Sequence, residues 1–252
     1  MNIDKISLVF NFLKENRKYN KAVQELYYSD IILSKRTVVD KVTALLHHVA
    51  NTQSQPNIDK LAAFYKLIYA NRDSLNEFRS FLGLLNRYSE NPTKLHYTYE
   101  EVFSCLHGQT GWGRKTSALF TKSIYHLHNE DYSKDLMIWE DAPKKLLDDE
   151  HLFLPVDAVI EFIFSKLGIS KANGFTGINN YLKSLNCYNG DVMEVWDDLW
   201  FWGFITQKGG GDSRIMAWNE NKYWALLHTE KDIVKIDEIR LKAKMFIDLL
   251  DT

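Results

Sequence analysis

Cysteine is the first scarcity. The chain holds two, Cys105 and Cys187, too far apart and too few to build a cysteine-based zinc or iron–sulfur site alone. Two reduced, buried thiols in a cytoplasmic protein are the expectation. Proline is nearly as rare, 4 in 252 residues, so few apolar stretches are interrupted by a residue that breaks helices. No apolar run approaches the roughly 18 residues that a membrane span needs, and the opening stretch, MNIDKISLVFNFLKENRKYNK, mixes charge with apolar residues and shows no cleavable signal pattern. No membrane partner is therefore expected. An excess of positive charge is absent too. The 31 lysines and arginines are outweighed by 33 acids, for a net charge of −2. That excludes a wholly basic nucleic-acid coat but leaves room for a local basic patch, because the distribution of charge makes the field. There is no internal repeat and no low-complexity tract. What remains is a chain that is 45% hydrophobic, long enough to bury a core as one large domain or as two interleaved lobes.

The periodicity is helical. Apolar residues recur three and four apart in ISLVFNFLKENRKYNKAVQELYY, in TVVDKVTALLHHVANT (37–52), in NIDKLAAFYKLIYA (57–70) and in SLNEFRSFLGLLNRY (74–88). Thr98, three residues before Glu101, forms a capping box that starts a further helix. Residues 129–156 read as a longer polar, acidic connection, followed by the helical segments VDAVIEFIFSKLG, FTGINNYLKSL and DVMEVWDDLWFWGFI. FITQKGGGDSRIMAW suits a β-hairpin or a mobile loop better than a helix. KIDEIRLKAKMFIDLL closes the chain as a helix.

Glycine numbers only 12 in all, and three of the twelve lie in GQTGWGRKTSALFTK, residues 108–122. A capped helix runs to about Leu106, a glycine-bearing turn follows, and a second helix starts near Arg114, a helix–hairpin–helix layout. Gly111 and Gly113 permit positive φ and a close approach of another backbone. Their amides, beside a helix N-terminus with Arg114 and Lys115, make a place for an anion such as a nucleic-acid phosphate. The plain alternative is a helix C-cap followed by a new helix.

The residues of this turn, Gly111, Gly113, Arg114, Lys115 and Thr116, resemble the hairpin of the helix–hairpin–helix DNA glycosylases. The resemblance implies that Lys115 is the catalytic nucleophile of a bifunctional member, and that Gly108, Gly111, Trp112, Gly113, Arg114 and Thr116 contact DNA. The same family carries a later aspartate at the start of a helix, and Pro155-Val156-Asp157 ahead of an apolar helix is similar to that of its 8-oxoguanine branch. Asp157 is then the catalytic carboxylate; read by itself it is a helix N-cap. Lys115 and Asp157 stand 42 positions apart, closest in style to the archaeal 8-oxoguanine enzymes, and two cysteines leave no cluster of the endonuclease III kind. Gln53 and Gln55 follow the helix VTALLHHVAN, where family members place a strand-separating wedge; the alternative is a solvated loop.

The resemblance implies an all-α fold of two helical lobes with the hairpin at the cleft. Residues 36–128 would form one lobe; residues 1–35 and 129–252 would form the other, with a small β-hairpin near 204–218. It implies a base-excision glycosylase with AP lyase activity on double-stranded DNA that carries a damaged base, most simply an oxidised purine such as 8-oxoguanine. No cofactor, a monomer and a cytoplasmic, nucleoid-associated location go with that reading. Chemistry gives the pair a reason. Breaking an N-glycosidic bond develops positive charge on the sugar, which a carboxylate stabilises, and an unprotonated amine can attack C1′. The target base must leave the duplex for a pocket, for which Trp196 and Trp202, in a run with Trp200 and Phe201, are the aromatic candidates; core packing is the alternative for each. The eight histidines complete no metal-ligand pattern, His126 and His128 facing different sides of a helix, so no metal is expected. Two other classes stay open: a non-catalytic helix–hairpin–helix DNA-binding module, and an unrelated helical protein with a winged-helix end. A glycosylase for another modified base is the nearer variant.

Overall fold

A computed structural model describes residues 2–89, 91–129, 131–169, 172–185 and 190–251. Among them it is mostly helical, with twelve α-helices and one two-stranded antiparallel sheet. The chain divides into two compact units.

The central unit takes Tyr27–Pro155. Its helices are the end of α2 (Arg17–Ile32), then α3 (Val38–Ala50), α4 (Ile58–Ala70), α5 (Phe78–Arg87), α6 (Tyr99–His107) and α7 (Arg114–His128). Starts are written locally. Thr37 and Asn57 accept from the third-residue amides of α3 and α4, and Thr98 with Glu101 closes a full capping box on α6. The core gathers the apolar stripes of these helices, with Leu45, Leu46, Phe64, Phe78, Phe81, Leu85, Leu106 and Phe120 all at 2% exposure or less.

The segment 129–155 belongs with this unit, and so do residues 27–35, against the expected lobes of 36–128 and 1–35 with 129–252. The reason lies in side chains that polarity alone does not reveal. Trp139 packs on Phe78 and Phe81, and its indole donates to the carbonyl of Leu75 at 2.8 Å. The acids of the segment cap helices. Asp141 accepts from the amides of Phe78 and Arg79 at 2.8 and 3.0 Å, and buried Glu150 accepts from those of Tyr99 and Glu100. Carboxylates at helix N-termini meet both unpaired N–H groups and the positive end of the dipole. On the other side, the Tyr28 hydroxyl meets His126 Nδ1 at 3.0 Å and its ring lies against Tyr132.

The terminal unit joins residues 2–26, 156–185 and 191–251. It contains α1 (Asn2–Glu15), the start of α2, α8 (Ala158–Lys166), α9 (Gly174–Ser184), α10 (Gly190–Ile205), α11 (Glu220–Ala225) and α12 (Ile233–Asp251). Strands β1 (Gln207–Lys208) and β2 (Ile215–Met216) pair Gln207 with Met216 and Lys208 with Ile215, as the glycine run between them anticipates. Phe12, Tyr19, Trp202 and Phe246 interlock as its aromatic core. Gly203 sits where a Cβ would come within 2.5 Å of Ile163 Cδ1, so the absence of a side chain lets α8 and α10 cross closely. The acids of α10 face inward onto α2: Arg17 pairs with Glu194 at 2.8 Å, Asn20 donates to Asp198 at 2.7 Å, and Gln24 donates to Asp197. Buried carboxylates persist only when paired in this way.

Among the described residues no helix is long and apolar enough to cross a membrane.

Candidate functional site

The glycine-rich turn of the central unit is a helix–hairpin–helix. Helix α6 ends at Gly108, whose φ of −72° is ordinary helical backbone and whose N–H returns to Ser104 O at 3.1 Å. The turn then requires glycine at one position. Gly111 has φ +89°, and a Cβ there would lie 3.0 Å from the amide nitrogen of Leu61, the first turn of α4. Both the conformation and the contact exclude a side chain. Helix α7 starts after Gly113, whose N–H is accepted by the Thr116 hydroxyl at 3.1 Å while that hydroxyl donates to Gly113 O at 3.0 Å. Thr116 thus performs at the third helical position what glutamate does in α6.

These bonds reassign several residues expected to contact DNA. Gly108, Gly113 and buried Thr116 use their polar groups to close the turn from within. Trp112 is corrected outright. It is 5% exposed, with its ring against Phe64 and Phe120. An indole flanked by two phenylalanines lowers the free energy more by packing than by facing water, so it fastens the hairpin to α4 and α7. At the surface of the turn are exposed Thr110, Gly113 and Arg114, with Gly111 and Lys115 half-buried.

Lys115 does not stand alone. Its Nζ donates to the carbonyl of Thr52 at 3.4 Å, and Gln53 Nε2 donates to Gly111 O at 3.3 Å. The loop between α3 and α4 therefore lies against the hairpin and brings Gln53 and Lys115 together. Gln55, two residues on, is exposed in the same loop.

Asp157 lies in the terminal unit and Lys115 in the central one, the chain passing from one to the other after Pro155. Asp157 is the N-cap of α8, its Oδ1 accepting from the amides of Val159 and Ile160 at 2.9 and 3.1 Å. Its other oxygen accepts from the indole of Trp200 at 3.0 Å. Three N–H donors at a helix N-terminus hold this carboxylate in one orientation. The cap and the anchored anion are one arrangement.

Trp196 and Trp202, the expected pocket aromatics, are fully buried. Trp196 packs with Phe10 and Phe164, and Trp202 with Phe12, Tyr19 and Phe201. Both are core. The half-open aromatics beside Asp157 are instead Trp200 and Phe204, stacked at 5.0 Å between centroids and 14° between planes. Lys222 Nζ lies over the Phe204 ring at 4.9 Å. Burial lowers the Lys222 ammonium below the ordinary lysine range; the charge of Arg214 adds to that and Asp157 opposes it. Arg214 is fixed by its own donations to Ala158 O at 3.1 Å and Gln207 Oε1 at 2.8 Å. Sequence reasoning passed over Phe204, Arg214 and Lys222. The legible signal was the four-residue spacing of Trp200 and Phe204, which puts them on one side of α10, followed by the cations of the hairpin.

Compared with family models, curated proteins and solved structures, the chain matches none. The resemblance to the glycosylases thus rests on the hairpin and the Pro-Val-Asp segment.

Proposed function

We propose that this protein is a base-excision DNA glycosylase with AP lyase activity, acting on a damaged base in duplex DNA. The observation that carries the reading is the hairpin. Gly111 adopts a left-handed conformation pressed against α4, and Arg114 and Lys115 follow after Trp112 and Gly113 on the first turn of α7. Arg114 meets a backbone phosphate and so positions the enzyme without reading sequence. The Lys115 amine, once deprotonated, attacks C1′ of the target nucleotide, and the base departs with the electrons of the glycosidic bond. The anchored Asp157 carboxylate stabilises the positive charge that develops on the sugar. Opening of the sugar ring gives a Schiff base, and β-elimination then nicks the strand 3′ to the lesion. In this reading Gln53, hydrogen-bonded to Gly111 O, fills the gap that an extruded base leaves.

An oxidised purine such as 8-oxoguanine is the substrate that the Pro-Val-Asp segment favours. The test is a panel of duplexes carrying single lesions, with base release and nicking assayed separately and sodium borohydride added to trap the covalent adduct. Base release with nicking and a trapped adduct is expected on at least one oxidised purine. Binding without release or trapping on every duplex would leave the non-catalytic DNA-binding reading, which the same hairpin also supports.

A further inference from the structure

About half of the described aromatic side chains of the terminal unit are buried, and Phe162, Trp200 and Phe204 are among those that remain partly open. Each carries polar company. Lys166 Nζ and the Arg214 guanidinium lie over the Phe162 ring at 5.6 and 5.9 Å. Lys222 covers Phe204 at 4.9 Å, Phe204 stacks on Trp200, and Trp200 donates to Asp157. Arg214, hydrogen-bonded to Ala158 and Gln207, links the two halves, because its charge and that of Lys222 act on each other. The result is one continuous strip along α8, α10 and the start of α11. Lys222 has no ion pair among the described residues. Asp157, beside Trp200, already has its two oxygens engaged by three N–H donors, while Glu161 and Glu220 are exposed acids on α8 and α11.

A core gains nothing from rings left half open between cations. Such a surface does suit a strand whose bases are unstacked, since every base has a face for an aromatic ring and every phosphate a charge for a lysine or arginine. A fully paired duplex keeps its base faces closed. The alternation of ring and cation on a chain of net charge −2 therefore favours unpaired over paired nucleic acid.

We propose that the strip formed by Phe162, Arg214, Lys222, Phe204 and Trp200 binds unpaired nucleotides of a DNA strand, rings against bases and cations against phosphates. It rests on the reading of the chain as a DNA-directed protein, and adds to it a place for the nucleotides that opening the duplex releases.

The experiment follows the fluorescence anisotropy of labelled DNA titrated with the full chain. Three probes are used: a thymidine 12-mer, a fully paired 12-base-pair duplex, and the same duplex with one bulged, unpaired nucleotide. The single strand and the bulged duplex should bind more tightly than the paired duplex. Phe204→Leu and Lys222→Gln should each weaken both by about fivefold or more, the low end for a lost stacking contact. Loss on the bulged duplex alone would place a single extruded nucleotide on the strip, and loss on both probes a longer strand. Variants that keep the parent circular dichroism spectrum and the parent affinity for both the single strand and the bulged duplex would overturn the proposal, as would tighter binding of the paired duplex by the parent. If Phe204→Leu does not fold, Lys222→Gln decides. Failure of the glycosylase reading is separable: it shows as absent borohydride trapping, whatever these affinities are.

Discussion

A Cβ placed on Gly111 would lie 3.0 Å from the amide nitrogen of Leu61, and the backbone at Gly111 already holds φ at +89°. The hairpin is thus clamped to α4 by the absence of a side chain. Gly111→Ala should destabilise the protein by on the order of 1–3 kcal/mol, from left-handed strain and displacement of α4 together. Gly113→Ala is the control, with φ at −98° and its nearest neighbour 4.0 Å away, and should cost under about 1 kcal/mol. Thermal melts of the two variants check this; equal losses would show that the clamp contributes nothing.

Lys115→Gln should abolish nicking and borohydride trapping while DNA affinity stays within about twofold, since the amide keeps most of the length but forms no Schiff base. Persistent trapping on lesion DNA would identify another amine as the nucleophile.

Asp157 is both an N-cap and the proposed catalytic carboxylate, and two substitutions separate the roles. Asp157→Asn keeps a capping oxygen and should leave the melting temperature nearly unchanged. It should slow base release severely, each factor of ten adding about 1.4 kcal/mol to the barrier. Asp157→Ala should in addition lose about 0.5–2 kcal/mol of stability. If excision proceeds in both variants while only Ala loses stability, the residue is a cap and nothing more.

Arg114→Ala should weaken binding to damaged and undamaged duplex about equally and reduce the slope of log affinity against log salt by about one. A change of lesion preference with an unchanged slope would make Arg114 a reader of bases.

Burial lowers the His128 imidazole to about 4 from its usual 6.5, against its hydrogen bond to the Ile124 carbonyl and the charge of Asp141. A group whose folded value is depressed takes up its proton more readily when unfolded, so its contribution is full above pH 6.5 and is lost as pH falls toward 4. At 1.36 kcal/mol per unit the upper bound is roughly 3 kcal/mol. Urea unfolding should show a loss of stability between pH 7 and pH 4.5 that is smaller in His128→Gln; an equal loss in both would assign it to other groups.

Much of the fold was legible because its causes are local. Thr98 and Glu101 cap α6 from three residues apart, the glycines of 209–211 turn the small hairpin, and Asp157 starts α8 with its own carboxylate. The motif positions Gly111, Lys115 and Asp157 could be singled out for the same reason. Aromatic roles could not. Trp196, Trp200 and Trp202 share one run of sequence, yet two are core and one faces Asp157. Helical spacing puts residues on sides of α10, but which side is covered depends on Phe10, Phe12 and Phe164, remote in the chain. That the acidic segment 129–155 packs with the central unit was hidden for a similar reason, because Asp141 and Glu150 cap helices fifty or more residues away. The sequence by itself determined where helices begin and where the backbone needs glycine, since each of these is decided within one or two turns of chain. Tertiary packing decided which aromatics are buried, which acids serve as anchors, and that Gln53 meets the hairpin, because these follow from surfaces that only the folded chain brings into contact.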